Sequence, residues 1–90
     1  PTTFDPNLRP QLWATQEKMV TAINNFAKQA DIVLPGINEG KILVGTGNPE
    51  EIADFYLNQS DRTHTAIVKL GEEGAYVFLL IFAWVLYCIF

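Results

Sequence analysis

Residues 30–45 read ADIVLPGINEGKILVG, and the order of elements inside this stretch decides the fold. Ile32-Val33-Leu34 is a short apolar run with a β-branched majority, which reads as a buried strand. Pro35-Gly36 stops it. Ile37 to Val44 then reads as a short helix, with Gly45 as its C-terminal stop. Upstream, Thr15 is a plausible N-cap for a helix from Gln16 to Gln29, where Met19, Val20, Ile23, Phe26 and Ala27 fall on one apolar face. Downstream, Thr46-Gly47-Asn48 is a turn. Asn48 caps a further short helix, with Pro49 at its first position and Glu50-Glu51 in its first turn. Ile52, Ala53, Phe55, Tyr56 and Leu57 supply the buried side of that helix. Gln59 to Arg62 is a polar loop, and Thr65 to Leu70 is strand-like. Gly71-Glu72-Glu73-Gly74 is a tight turn, from which Ala75-Tyr76-Val77 begins an antiparallel return strand. At the other end, Thr2 to Phe4 is the tail of a strand.

The order is strand, helix, strand, helix, helix, strand, hairpin. It implies right-handed βαβ units and an α/β fold whose sheet is mostly parallel with a terminal β-hairpin. In such sheets ligands sit beyond the carboxyl ends of the strands. The loops FDPNLRP (4–10), PGINEG (35–40) and LGEEG (70–74) should therefore project from one edge. In the first of them two prolines stiffen the backbone that carries Asp5, Asn7 and Arg9.

Ninety residues make one small domain, which buries about 60–65% of its unfolded surface. The net charge is −4, and the six Lys and Arg are scattered singly, so no basic stripe suits nucleic acid. One cysteine, Cys88, allows no internal disulfide, and with His64 it is too few ligands for structural zinc. A reducing, cytoplasmic compartment fits best. The chain opens on Pro1 at the end of a strand, which reads as a piece of something longer.

Phe78–Phe90, FLLIFAWVLYCIF, has no charge, glycine, proline or turn residue. With Ala75–Val77 the uncharged run is about sixteen residues, one turn short of a membrane-spanning helix. It lacks a basic flank and shows no period of 2 or 3.6. Three readings stand: a truncated membrane anchor, a core strand of a longer protein, or a foreign tail from a shifted reading frame. The abrupt loss of turns after Val77 favours the last. The chain thus divides at 1–77 and 78–90.

FDPNLRPQLW, ADIVLPGINEGKILVG and AIVKLGEEGAYV together resemble the ribokinase-like (PfkB) sugar kinases, over Thr3 to about Val77. This implies part of a three-layer ribokinase-like fold, well under half of such an enzyme. It also implies ATP and Mg2+ as cofactors and a sugar acid, 2-keto-3-deoxygluconate or a relative, as substrate. By the same resemblance Asn7 and Arg9 lie between sugar acid and phosphates, where a guanidinium offers a carboxylate two parallel charged hydrogen bonds. Lys69, Gly71 and Gly74 run along the nucleotide. Glu39 falls on the acid of an Asn-x-x-Glu motif that organises metal and phosphate through water, although Gly36 stands where the Asn should be. The family's catalytic aspartate, in a Gly-Ala-Gly-Asp stretch, is not in this chain, so it carries no catalytic base and should be inactive alone.

Each of these residues has a plainer reading. Arg9 could be a loop arginine paired with Asp5, and Asp5 a turn-stabilising acid. Trp13 reads as a core anchor, Glu39 equally as a solvated charge, and His64 as a surface residue. Lys69 ends an apolar strand, where a lone lysine needs a reason. The rival from another class is a small membrane-associated or interaction protein that works through the apolar tail. The tail's packing separates the two: a strand beside Thr65–Leu70 favours a soluble kinase piece, and an exposed helix favours the rival. Self-association of the isolated chain follows from the tail in either case.

Overall fold

The computed structural model describes residues 1–81 and 84–89. Among the described residues the elements follow the predicted order through the hairpin: β1 (Thr3–Phe4), α1 (Gln16–Ala27), β2 (Ile32–Val33), α2 (Ile37–Leu43), α3 (Pro49–Asn58), β3 (Thr65–Lys69) and β4 (Ala75–Ile81); a fifth strand, β5 (Trp84–Ile89), adds to that order. Short 3-10 turns occupy Pro10–Leu12 and Gly71–Glu73. The sheet order is β1-β2-β3-β4-β5. β1, β2 and β3 are parallel, in the register Thr3–Ile32–Thr65 and Phe4–Val33–Ala66. β4 returns antiparallel along β3, and β5 antiparallel along β4.

Local chemistry sets the helix starts. The Thr15 side chain accepts from the Lys18 N–H at 3.1 Å. Asn48 Oδ1 accepts from the N–H of Glu50 and of Glu51, at 2.9 and 3.2 Å, with Pro49 next in line. α1 ends earlier than its periodicity suggests, because the Lys28 N–H turns back to Asn25 O and tightens the last turn. That turn delivers Ala30 to the interior.

Residues alternate across the sheet. Phe4, Val33, Ala66, Val68, Tyr76, Phe78 and Leu80 pack on the core side, against Ala27, Ala30, Ile52, Ala53, Tyr56 and Leu57. Full burial of each large side chain contributes about 1.5–3 kcal/mol. By the same alternation Ile32, Leu34, Ile67, Val77 and Leu79 fall on the opposite face, where all are half-buried except Leu79, which is exposed.

Two expectations about individual residues change. Phe26 is 58% exposed, and Asn24 is buried in its place. The reason is a polar knot: Tyr56 Oη donates to Asn24 Oδ1 at 2.7 Å, Asn24 Nδ2 donates to Leu43 O at 2.9 Å, and Gln59 Nε2 donates to Asn24 O at 3.0 Å. This knot joins α1, α2 and α3. Trp13 is half-buried beside the 3-10 turn rather than a deep core anchor. His64 lies at the surface as expected, with Nδ1 2.7 Å from Thr65 Oγ1.

The apolar tail enters the structure as strand. β4 runs through the compositional boundary at Val77 and pairs Phe78 with Ala66 and Leu79 with Thr65 on β3. Residues 82, 83 and 90 of the tail lie outside the described residues. Among the described residues no helix is long and apolar enough to cross a membrane.

Candidate functional site

The three polar loops do meet at one edge of the sheet, at the carboxyl ends of β1, β2 and β3. Backbone bonds bring them there. The Leu34 N–H donates to Phe4 O at 2.9 Å, and the Lys69 N–H donates to Pro35 O at 2.9 Å, so both ladders extend past the strands into the loops. Gly36 and Lys69 form a further parallel bridge.

Side chains then tie the loops across long stretches of chain. Lys69 Nζ stands 2.9 Å from Asp5 Oδ2, joining the β3 end to the loop after β1. Glu39, in the first turn of α2, folds back so that Oε1 accepts the Gly36 N–H at 2.8 Å, and its Oε2 accepts the Leu8 N–H at 3.4 Å. Because glycine has no side chain, only the Glu39 half of a capping box operates at this helix start. Gly36, Ile37, Asn38, Glu39, Lys69, Leu70 and Gly71 line a cleft of about 310 Å³.

The sequence-derived candidates separate accordingly. Lys69, Gly71 and Glu39 share the cleft. Gly74 is not among its lining residues, but it closes the loop: its N–H donates to Gly71 O at 3.2 Å and its carbonyl accepts the Leu70 N–H at 2.8 Å. Gly71 and Gly74 have φ of 68° and 102°, a region that side-chain-bearing residues avoid. Asn7 and Arg9 lie on the adjoining loop, exposed. The Arg9 side chain makes no ion pair among the described residues, and its expected partner Asp5 is held by Lys69 instead. That pairing spans 64 positions, and no local pattern announces it. Its one trace in the sequence is the isolated lysine ending an apolar strand.

Behind the cleft, burial first and then the negative charge of Glu39 push the Tyr56 hydroxyl above its ordinary value. Among the described residues no three His, Cys, Asp or Glu side chains gather as a metal site would need. Asp5 is engaged by Lys69 and Glu39 by two backbone N–H groups. Mg2+ takes six oxygen ligands in a strict octahedron. The donors among the described residues do not by themselves fit it.

Comparison with known proteins agrees with this geometry. The family model for pfkB family carbohydrate kinases matches residues 1–80. The chain is 50% identical over 74 residues to a 2-dehydro-3-deoxygluconokinase of Bacillus subtilis (strain 168), covering 82% of this chain and 22% of that protein. A crystal structure of a PfkB protein from Polaromonas sp. JS666 superimposes with a TM-score of 0.79 at 53% identity, over 83% of this chain and 25% of that one. The fructokinase from Vibrio cholerae O395, solved with fructose, ADP and calcium ion bound, gives 0.78 at 26% identity, over 97% and 26%. The chain thus spans about a quarter of the length of the proteins it matches.

Proposed function

The chain belongs to the pfkB family of carbohydrate kinases, and from that premise we propose that it is part of a cytoplasmic, ATP-dependent kinase of 2-keto-3-deoxygluconate or a related sugar acid. The substrate reading is supported by the likeness to an enzyme of that name. The observation that carries the assignment is the convergence of the FDPNLRP, PGINEG and LGEEG loops on one cleft edge, held by the Lys69–Asp5 and Glu39–Leu8 contacts.

Phosphoryl transfer is chiefly positioning and charge stabilisation. Arg9, exposed and without an ion pair among the described residues, offers its two-pronged guanidinium to the sugar acid carboxylate, with Asn7 beside it. Lys69 at the cleft supplies a mobile positive charge for phosphate oxygens, and leaving Asp5 costs little because the pair is exposed. The Gly71–Gly74 turn lets nucleotide approach the backbone closely. The general base and much of the site come from outside these residues, so the 90-residue chain alone should produce no ADP above background in the presence of sugar acid.

The rival reading through the tail is not favoured, because Phe78–Ile81 is part of a strand paired with β3. The test is Arg9→Lys in a full-length kinase bearing this segment. Charge survives but the paired donor is lost, and kcat/KM should fall by about 2–4 kcal/mol in transition-state stabilisation. An unchanged kcat/KM would remove Arg9 from the site.

A further inference from the structure

The bonds of Glu39 point away from the metal role that the resemblance implies. We propose that Glu39 is a positioning residue, a bracket that holds the Asn7–Arg9 loop against the first turn of α2. The inference rests on the reading of Asn7 and Arg9 as sugar-acid contacts.

The loop is pinned at three points. Asp5 is held by Lys69 at 2.9 Å. Pro6 is fully buried, and its ring fixes φ. The Leu8 N–H donates to Glu39 Oε2 at 3.4 Å. Residues 7 and 9, between and beyond these pins, are exposed. The Leu8 peptide joins them, so whatever fixes it fixes the directions in which Asn7 and Arg9 leave the backbone. The other oxygen, Oε1, anchors the carboxylate on the Gly36 N–H at 2.8 Å. A Cβ built at Gly36 would stand 3.3 Å from Oε1, so a side chain there would shift the carboxylate by a few tenths of an ångström. With both oxygens turned to backbone N–H groups, Glu39 serves the loop rather than a metal ion.

Two measurements test this. In the 90-residue chain, amide hydrogen exchange at Leu8 and Gly36 is followed by NMR for Glu39→Ala and for Glu39→Gln. The glutamine keeps the volume and one acceptor, which preserves a readable variant should the alanine unfold. Exchange at both amides should quicken on the order of tenfold in Glu39→Ala, and at one of them in Glu39→Gln. Unaltered Leu8 exchange in both variants overturns the bracket. In a full-length kinase bearing this segment, Glu39→Gln should raise KM for 2-keto-3-deoxygluconate several-fold, with kcat and the half-saturating Mg2+ concentration unmoved. A shifted Mg2+ requirement with unchanged KM overturns the proposal in favour of a metal role. Arg9→Ala is read alongside: if it leaves the sugar-acid KM untouched, the ligand reading of the loop fails, while the exchange result still decides the bracket.

Discussion

Replacing Tyr56 by phenylalanine removes one oxygen from the middle of the helical layer and leaves the ring in place. The hydroxyl donates to Asn24 Oδ1 at 2.7 Å, in a pocket where Tyr56 is 0% and Asn24 9% exposed. Its loss strands a buried acceptor, at a cost of about 1–3 kcal/mol. For a domain of this size, total stability is roughly 5–13 kcal/mol and each kcal/mol moves Tm by about 4–8 °C. A cost of about 2 kcal/mol would thus lower Tm by roughly 8–16 °C. The pH dependence gives a sharper signature. In the folded chain the Tyr56 pKa is raised above its ordinary 10.0, by burial and then by Glu39. Its contribution to stability is therefore fully present below pH 10 and is lost as pH rises from there towards the folded value, because the unfolded chain gives up this proton first. The loss is about 1.4 kcal/mol per pH unit. Phenylalanine has no such proton, so the stability gap between wild type and Tyr56→Phe should narrow by about that amount between pH 8 and 11. Urea unfolding followed by far-UV circular dichroism at pH 8 and 11 measures the gap, and the contributions of the other tyrosines cancel in the difference. A gap that keeps its size from pH 8 to 11, or a variant as stable as wild type at pH 8, would refute the reasoning.

Two further outcomes follow from packing. A Cβ on Gly40 would collide with Ile52, whose Cγ1 lies at 2.8 Å and which is 0% exposed with no room to retreat. The helix gains about 1 kcal/mol from alanine, but overpacking costs about 1–3 kcal/mol or more. Gly40→Ala should therefore lower Tm, and Ile52→Val, which deletes the nearest methyl, should recover part of the loss; a raised Tm in Gly40→Ala alone would show that the helices can separate freely. The second concerns the sheet face bearing Ile32, Leu34, Ile67, Val77 and the 37% exposed Leu79. Light scattering at tens of micromolar should show the chain larger than a monomer, and Leu79→Lys should reduce the size; a monodisperse wild-type monomer would count against this.

The sequence was legible where its signals are local. Pro35-Gly36 ends β2, Asn48-Pro49 starts α3 and Thr15 starts α1, because each acts through neighbours within four residues. The site edge was legible too, since strand order alone places the three loops together. The ties within it were not. Asp5 looks at Arg9 four positions away, yet its partner is Lys69. Glu39 looks like a solvated charge or a metal residue, yet it reaches back 31 positions to Leu8. Asn24 and Phe26 exchange places for the same reason: helical period ranks residues by apolarity, whereas the knot with Tyr56 and Leu43 O exists only once three helices meet. In the tail, composition broke at Val77 while the backbone ladder did not, because pairing with β3 depends on register and not on polarity.

The two margins of the sheet are unequal. On one side β1 offers a ladder of only Thr3 and Phe4 before Pro6, which has no N–H to give. On the other, β5 presents six residues as the outermost strand. Joining one copy's β5 to the next copy's β1 would be a head-to-tail contact able to repeat without end, and the short, proline-blocked margin denies it a template. What remains is β5 against β5, antiparallel about a two-fold axis. For these 90 residues taken alone, that arrangement would occupy the β5 margin of both copies and leave only the short β1 margins for any lateral growth.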